Sequence, residues 1–218
     1  TTGAKTGSRF SILGMVQVAI FGAIICLMAF TPFLGYIQIG PTRATLIHVP
    51  VIIASILMGP KKGAFLGAVF GICSLVSNTL APTLLSFAFS PFLSTTGLPG
   101  AVKAVWISVG CRVLIGVAAG WLWILLSKLQ VPSLVALPIT GFVGAMVNTV
   151  TVMGSIYLLF AQQYAEAQNV ALTAVFGLVM GTVTASGIPE AIAAAVLVAV
   201  IGKALLLALR KQFVKAQG

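Results

Sequence analysis

Apolar side chains run without a charge over residues 10–42, 63–102, 129–165 and 167–189, with shorter runs at 44–60, 113–127 and 191–202. At 1.5 Å rise per residue, a helix crossing a bilayer needs about 20 mostly apolar residues. Each long run therefore holds a span plus a connection. The pattern predicts six helical spans, at 10–30, 43–59, 63–80, 105–127, 133–159 and 188–209. Turn chemistry separates them. Thr31-Pro32 ends the first, since a proline cannot donate into a continuing helix. Gly59-Pro60-Lys61-Lys62-Gly63 joins the second to the third, and Val131-Pro132-Ser133 the fourth to the fifth. Segment 81–104 carries Pro82, Pro91, Pro99, Gly97 and Gly100 and reads as a long irregular connection, a kind that is usually functional.

The runs are apolar on both parities, which argues against the alternating strands of a membrane barrel. Residues 10–30 are too long for a signal peptide, and 31–42 offers no cleavage pattern. An opening Thr in place of Met points to a processed or trimmed N-terminus.

Composition agrees with the pattern. The 218 residues are 60% apolar and 6% charged, with a mean hydropathy of +1.17, against about 25% charged residues in soluble domains. Twelve basic and two acidic residues give a net charge of +10. The basic residues punctuate apolar runs, so the charge is topology and implies no nucleic acid partner. By the positive-inside rule, Lys5, Arg9, Lys61, Lys62, Lys128, Arg210, Lys211 and Lys215 are cytoplasmic, and Arg43, Lys103 and Glu166 lie outside. Both termini are then inside and the number of spans is even. Segment 170–186 would add a seventh. It is read instead as a helix entering the membrane partway from outside and breaking at Ser186-Gly187-Ile188-Pro189. Irregular backbone at membrane depth is tolerated only where protein buries it or it lines a cavity, so the break points to a binding site. The expectation is an all-α integral membrane protein. It has six transmembrane helices, cytoplasmic termini and a partly embedded outer segment before the last helix, as one unit over 1–218.

Several chemistries are missing. No phosphate-binding loop exists, because Gly202-Lys203-Ala204 lacks the hydroxyl and the upstream glycine. Cys26, Cys73 and Cys111 each fall inside a span and read as small buried hydrophobes. One histidine and two acids make a catalytic metal site improbable, and no Gly-x-Ser-x-Gly elbow occurs. No enzyme activity, cofactor or metal is expected.

Small residues recur at helical spacing in Ala19-x-x-x-Ala23, Gly63-x-x-x-Gly67-x-x-x-Gly71 and Gly116-x-x-x-Gly120, and such faces let helices approach closely. Each serves either internal packing or docking to another membrane protein. Ionisable residues at membrane depth are functional candidates. Arg112 in the fourth span suits a carboxylate. Glu190 opens the last helix, where the positive helix end favours a carboxylate. The two either neutralise each other or face a ligand together. Asn148 sits in the middle of the fifth span and Asn78 ends the third. Each offers donors and an acceptor to a ligand or to a neighbouring helix. Arg43 snorkels outward or contacts ligand, and His48 packs between helices or contacts ligand. Phe87, Phe89, Phe92 and Trp106 either wall a pocket or belong to an interfacial aromatic belt.

The stretch Ile39-Gly40-Pro41-Thr42-Arg43-Ala44-Thr45-Leu46-Ile47-His48-Val49-Pro50, followed by Leu57-Met58-Gly59-Pro60-Lys61-Lys62-Gly63, resembles the substrate-binding S-components of energy-coupling factor vitamin transporters. The likeness covers 10–210. It implies a multi-pass subunit of the bacterial plasma membrane that binds a micronutrient near the outer face. The pocket would lie among spans four to six, under lids at 31–42 and 81–104. Asn148, Arg112 and Glu190 would line the site. Ala19 and Ala23 would dock on a transmembrane coupling subunit that carries two ATP-binding subunits. Segment 78–92 looks most like members assigned to pantothenate. Hydroxymethylpyrimidine or pyridoxine, and then folate, are the alternatives within the family. Outside it stand a self-sufficient secondary transporter, for which no internal repeat is seen, and a structural membrane protein.

Overall fold

The computed structural model describes residues 12–31, 35–39, 42–94 and 96–215, with side chains described at all of these except 13, 36–39, 42–44 and 209–215. Lys5 and Arg9 lie outside the described residues, as do the side chains of Arg43, Arg210, Lys211 and Lys215.

The apolar periodicity becomes helix almost throughout. Helix α1 spans Ile12–Phe30, α2 His48–Met58 and α3 Pro60–Leu80. Then α4, Gly97–Val105, runs through a π-helical turn, Trp106–Gly110, into α5, Cys111–Lys128. The longest, α6, is Ser133–Gln168. Finally α7, Val175–Thr182, runs through a second π turn, Val183–Gly187, into α8, Ile188–Lys215. Four helical stretches, 60–80, 97–128, 133–168 and 172–208, are long and apolar enough to cross a membrane. Large apolar side chains such as Ile20, Leu27, Phe65, Trp121, Leu158 and Val200 stand exposed around the bundle, far more than a water-facing surface carries.

Four sequence expectations are corrected. The second span does not start at 43, because Thr42–Thr45 is a strand, β2, paired antiparallel with β1, Tyr36–Ile39. The β-branched residues Ile37, Ile39, Thr42 and Thr45 favour strand and outweigh the helical reading. Segment 81–104 is irregular only in part, since its last residues form α4, where Pro99 falls in the first turn and costs no hydrogen bond. The fifth span runs on to Gln168, with a kink where Phe160 takes φ −137° and ψ 26°. The expected break at 186–189 is a widening. Pro189 has no N–H for the Ala185 carbonyl and its ring presses on that group. The π turn at 183–187 takes up the conflict without ending the helix.

Helix α2 is the hub, with every residue from His48 to Ile56 buried. At 11 residues it is about 16 Å long and too short to cross a bilayer alone. The chain turns from α2 into α3 at Gly59, whose φ of 86° disfavours any side chain, and Pro60 starts α3 at its first position.

The glycine stripes are internal. A Cβ on Gly63 or Gly116 would meet the other strip's backbone, one on Gly67 would meet Arg112, and one on Gly120 would lie 2.6 Å from Pro60 Cα. Helices α3 and α5 thus run antiparallel with their backbones in contact. On the other side, Gly141 lies against Ala194 and Ala195, and Gly202 against Leu137, which closes α6 onto α8 in the same way. Lipid is as apolar as a leucine, so close backbone approach, not hydrophobicity, holds such helices together.

Replacing Gly116 by Val is expected to lower stability by about 1–3 kcal/mol, the range for overpacking. Gly154→Ala, with nothing within 4 Å of the added Cβ, is expected to stay within about 0.5 kcal/mol of the parent. Thermal unfolding in detergent distinguishes the two, and equal Tm values would remove the seam as a stability determinant.

Candidate functional site

A cavity of about 500 Å³ opens at one end of the bundle, where α3 and α6 end and α8 begins. Its volume lies in the range of small-molecule pockets. One wall is the end of α3 with Arg112 of α5. The opposite wall comes from α6 and from the junction of α7 with α8. Residues 81–89 and Thr45, the last residue of β2, lie across the top.

Arg112 is 7% exposed and its position is built by the helix that carries it. At the π turn the Cys111 N–H reaches back to the Trp106 carbonyl, whereas an α-turn would have given it to Ile107. The Ile107 carbonyl receives Nη1 of Arg112 at 2.9 Å. The guanidinium lies between two rings, 5.4 Å from the centroid of Phe70 and 5.2 Å from that of Phe89. Both are cation–π distances. A planar guanidinium held by a backbone carbonyl and by two rings is fixed in orientation, and its charge suits a carboxylate.

The facing wall mixes polar side chains with Val152 and Met153, and Glu190 is its one charged group among the described lining residues. Asn148 is 7% exposed and Glu190 8%. Asn148 Oδ1 and Ser186 Oγ are buried and have no hydrogen-bond partner among the described residues. Gly187 touches Thr149, so a Cβ there would lie 2.6 Å from the threonine methyl. Thr182, Ser186 and Glu190, four residues apart, form one polar stripe along the cavity.

The 81–96 connection is tied to α3 by hydroxyls. Ser86 donates to Asn78 Oδ1 at 2.9 Å and accepts the Thr83 N–H at 2.8 Å. Asn78 donates in turn to the Ser74 carbonyl, and Thr79 and Ser90 share a hydrogen bond of 2.8 Å. Phe87 packs edge-on against Phe160, with centroids 5.7 Å apart. Beside that kink Lys103 donates to the Leu159 carbonyl at 3.4 Å. Beyond it Tyr164 and Gln168 face the cavity.

Of the residues singled out from sequence, Arg112, Asn148, Glu190, Asn78 and Phe89 line this one cavity. Trp106, His48, Phe87 and Phe92 are not among its described lining residues. Trp106 is 48% exposed and donates to Ser155 Oγ at 3.2 Å on the bundle's outer face. His48 is fully buried at the start of α2, with both ring nitrogens unpartnered among the described residues. The backbone of Arg43 is in β2 and its side chain lies outside the described residues. Phe92 is exposed. Helix α3 is a full wall, which the expectation of spans four to six left out. Phe70, Ser74, Ser77 and Asn78 are spaced along one helical face, as are Thr182, Ser186 and Glu190. Polar residues recurring at that spacing inside an apolar run were the available signal. Ala19 and Ala23 stand exposed on α1, away from the cavity.

Lipid-matched helices around a cavity of small-molecule size that carries charged and polar groups define a membrane-embedded binder of a small molecule. Residues 14–202 match the family described as "ECF transporter, substrate-specific component". The chain belongs to this energy-coupling factor family of transporter components, which are not enzymes, and is a multi-pass protein of the bacterial plasma membrane. It is similar to a protein of Lactococcus lactis subsp. cremoris named pantothenic acid transporter PanT, with 38% identity over 145 residues, 66% of this chain and 71% of that protein. It is also similar to a Leuconostoc mesenteroides protein named pantothenate transporter PanT, 30% identical over 200 residues, 88% of this chain and 91% of the relative.

Ser86→Ala would strand Asn78 Oδ1 and the Thr83 N–H. It is expected to cost the connection about 0.5–1.5 kcal/mol for each hydrogen bond lost, since both groups are partly open to solvent. Hydrogen exchange of the 83–90 amides should accelerate. Unchanged exchange would show that the hydroxyl network does not hold the segment.

Proposed function

We propose that this chain binds pantothenate at the outer face of the membrane and delivers it inward by docking on an ATPase-driven coupling module. The observation that carries the substrate is the census of charge in the cavity. Among the described lining residues Arg112 is the sole basic group and Glu190 the sole acidic one. Pantothenate has one carboxylate, one amide and two hydroxyls. The carboxylate pairs with Arg112, Asn148 takes the amide, and Glu190 accepts from the hydroxyls. Folate, with two carboxylates, asks for a second cation. Hydroxymethylpyrimidine and pyridoxine have no carboxylate to pair with Arg112. The names of the two relatives support the same choice.

In this reading the chain crosses the membrane six times, with both termini inside. The crossings are α1, then the hairpin continued by α2, then α3, α4 with α5, α6, and α7 with α8. Lys61, Lys62 and Lys128 flank turns at the end of the bundle opposite the cavity, which supports a cavity facing outward. The partner is a transmembrane coupling subunit with two ATP-binding subunits. The exposed Ala19 and Ala23 supply a close-approach face for it on α1.

Arg112→Ala is expected to weaken pantothenate binding by at least about 1.5 kcal/mol, the lower range for a hydrogen bond to a charged group. Titration calorimetry on the purified chain measures it, and an unchanged Kd removes Arg112 from the site. A folded sample that binds no pantothenate overturns the substrate itself. Ala19→Trp or Ala23→Trp should abolish uptake in cells and leave binding intact. Persisting co-purification with the ATPase-bearing partner would place the docking face elsewhere.

A further inference from the structure

The geometry points to a second recognition element in the same cavity. We propose that the Ser186–Glu190 stripe at the start of α8 reads the hydroxylated end of the ligand and excludes any ligand with a second anionic group there, a phosphate monoester above all. The inference rests on the pantothenate reading and adds what that reading leaves open, the chemistry tolerated away from the carboxylate.

Two features support it. First, the two charges stand on different walls. Arg112 is fixed on α5 between Phe70 and Phe89, while Glu190 continues the stripe of Thr182 and Ser186 across the cavity. A ligand whose anion meets Arg112 therefore presents its other end to Glu190. Second, the hydrogen-bonding capacity at that end is tuned to neutral hydroxyls. A carboxylate only accepts, and a serine hydroxyl both donates and accepts. Ser186 Oγ is buried without a partner among the described residues, one helical turn from Glu190. Two ligand hydroxyls supply two O–H donors for the carboxylate and an acceptor for Ser186. A phosphate ester brings a charge of about −1.5 to −2 at neutral pH. It meets a carboxylate on a buried wall with no second cation among the described lining residues, and like charges repel strongly where water is excluded.

The experiment titrates the full-length chain with pantothenate, with its terminal phosphate monoester, and with the alcohol that replaces its carboxylate by a hydroxymethyl group. The wild-type chain should bind the phosphate ester at least about 100-fold more weakly than pantothenate, equivalent to two tenfold steps of 1.4 kcal/mol. Glu190→Gln should narrow that ratio at least about tenfold. Ser186→Ala should weaken pantothenate about 2- to 10-fold, the loss of one neutral hydrogen bond. Wild-type affinity for the ester within tenfold of that for pantothenate overturns the inference, as does a Glu190→Gln chain with an unchanged ratio. The parent reading fails differently. A folded wild-type chain that binds none of the three ligands, or binds the alcohol as tightly as pantothenate, removes the carboxylate assignment and this inference with it.

Discussion

The rest of the structure depends on keeping one guanidinium buried at membrane depth. A charge there must find its hydrogen bonds within the protein, because lipid offers none. The chain meets this by widening a helix. The π turn at 106–110 presents the Ile107 carbonyl to Arg112. The same turn is pressed by α3, where Gly71 touches Ser108 and Val109 and Gly67 touches Arg112 itself. Any side chain at those glycines would lift α3 away and take Phe70 off the guanidinium. The glycine seam, the π turn and the arginine are therefore one construction.

A second π turn repeats the device on the opposite wall. Pro189 prevents a regular turn, the helix widens over 183–187, and Glu190 follows immediately. Gly187 admits Thr149 at the point of contact. The two charged groups among the described lining residues thus sit just after a place where the regular backbone ladder is relaxed. Helices rigid enough to cross a bilayer gain local freedom there, and the cavity gains walls from continuous helices rather than from loops.

The top of the cavity is built differently. Residues 81–94 have no continuous helix, so their position comes from side chains. These are the Ser86, Asn78 and Thr83 hydroxyl and amide bonds, the Thr79–Ser90 pair and the Phe87–Phe160 contact. Phe89 belongs to this segment and also stacks on Arg112. Arg112 and the segment covering the cavity are in direct contact.

The helical, membrane-matched character of the chain and the presence of ionisable residues inside its apolar runs were legible in the sequence. Long charge-free runs force helix in a bilayer, and Arg112 and Glu190 stood out because charge at that depth is costly. The sequence alone also identified the small-residue stripes, since glycine at every fourth position marks a face. What each face met was decided by tertiary structure. Gly63, Gly67 and Gly71 turned inward onto α5, while Ala19 and Ala23 remained exposed. The strands at 36–39 and 42–45, the kink at Phe160 and the two π turns were hidden because each settles a local preference against packing. Trp106 and Phe89 are both aromatic residues near the same end. Only the rotation of their elements sends one outward and the other onto the arginine. Residue type sets which chemistry is available. Direction is a property of packed backbones, and a list of residues does not contain it.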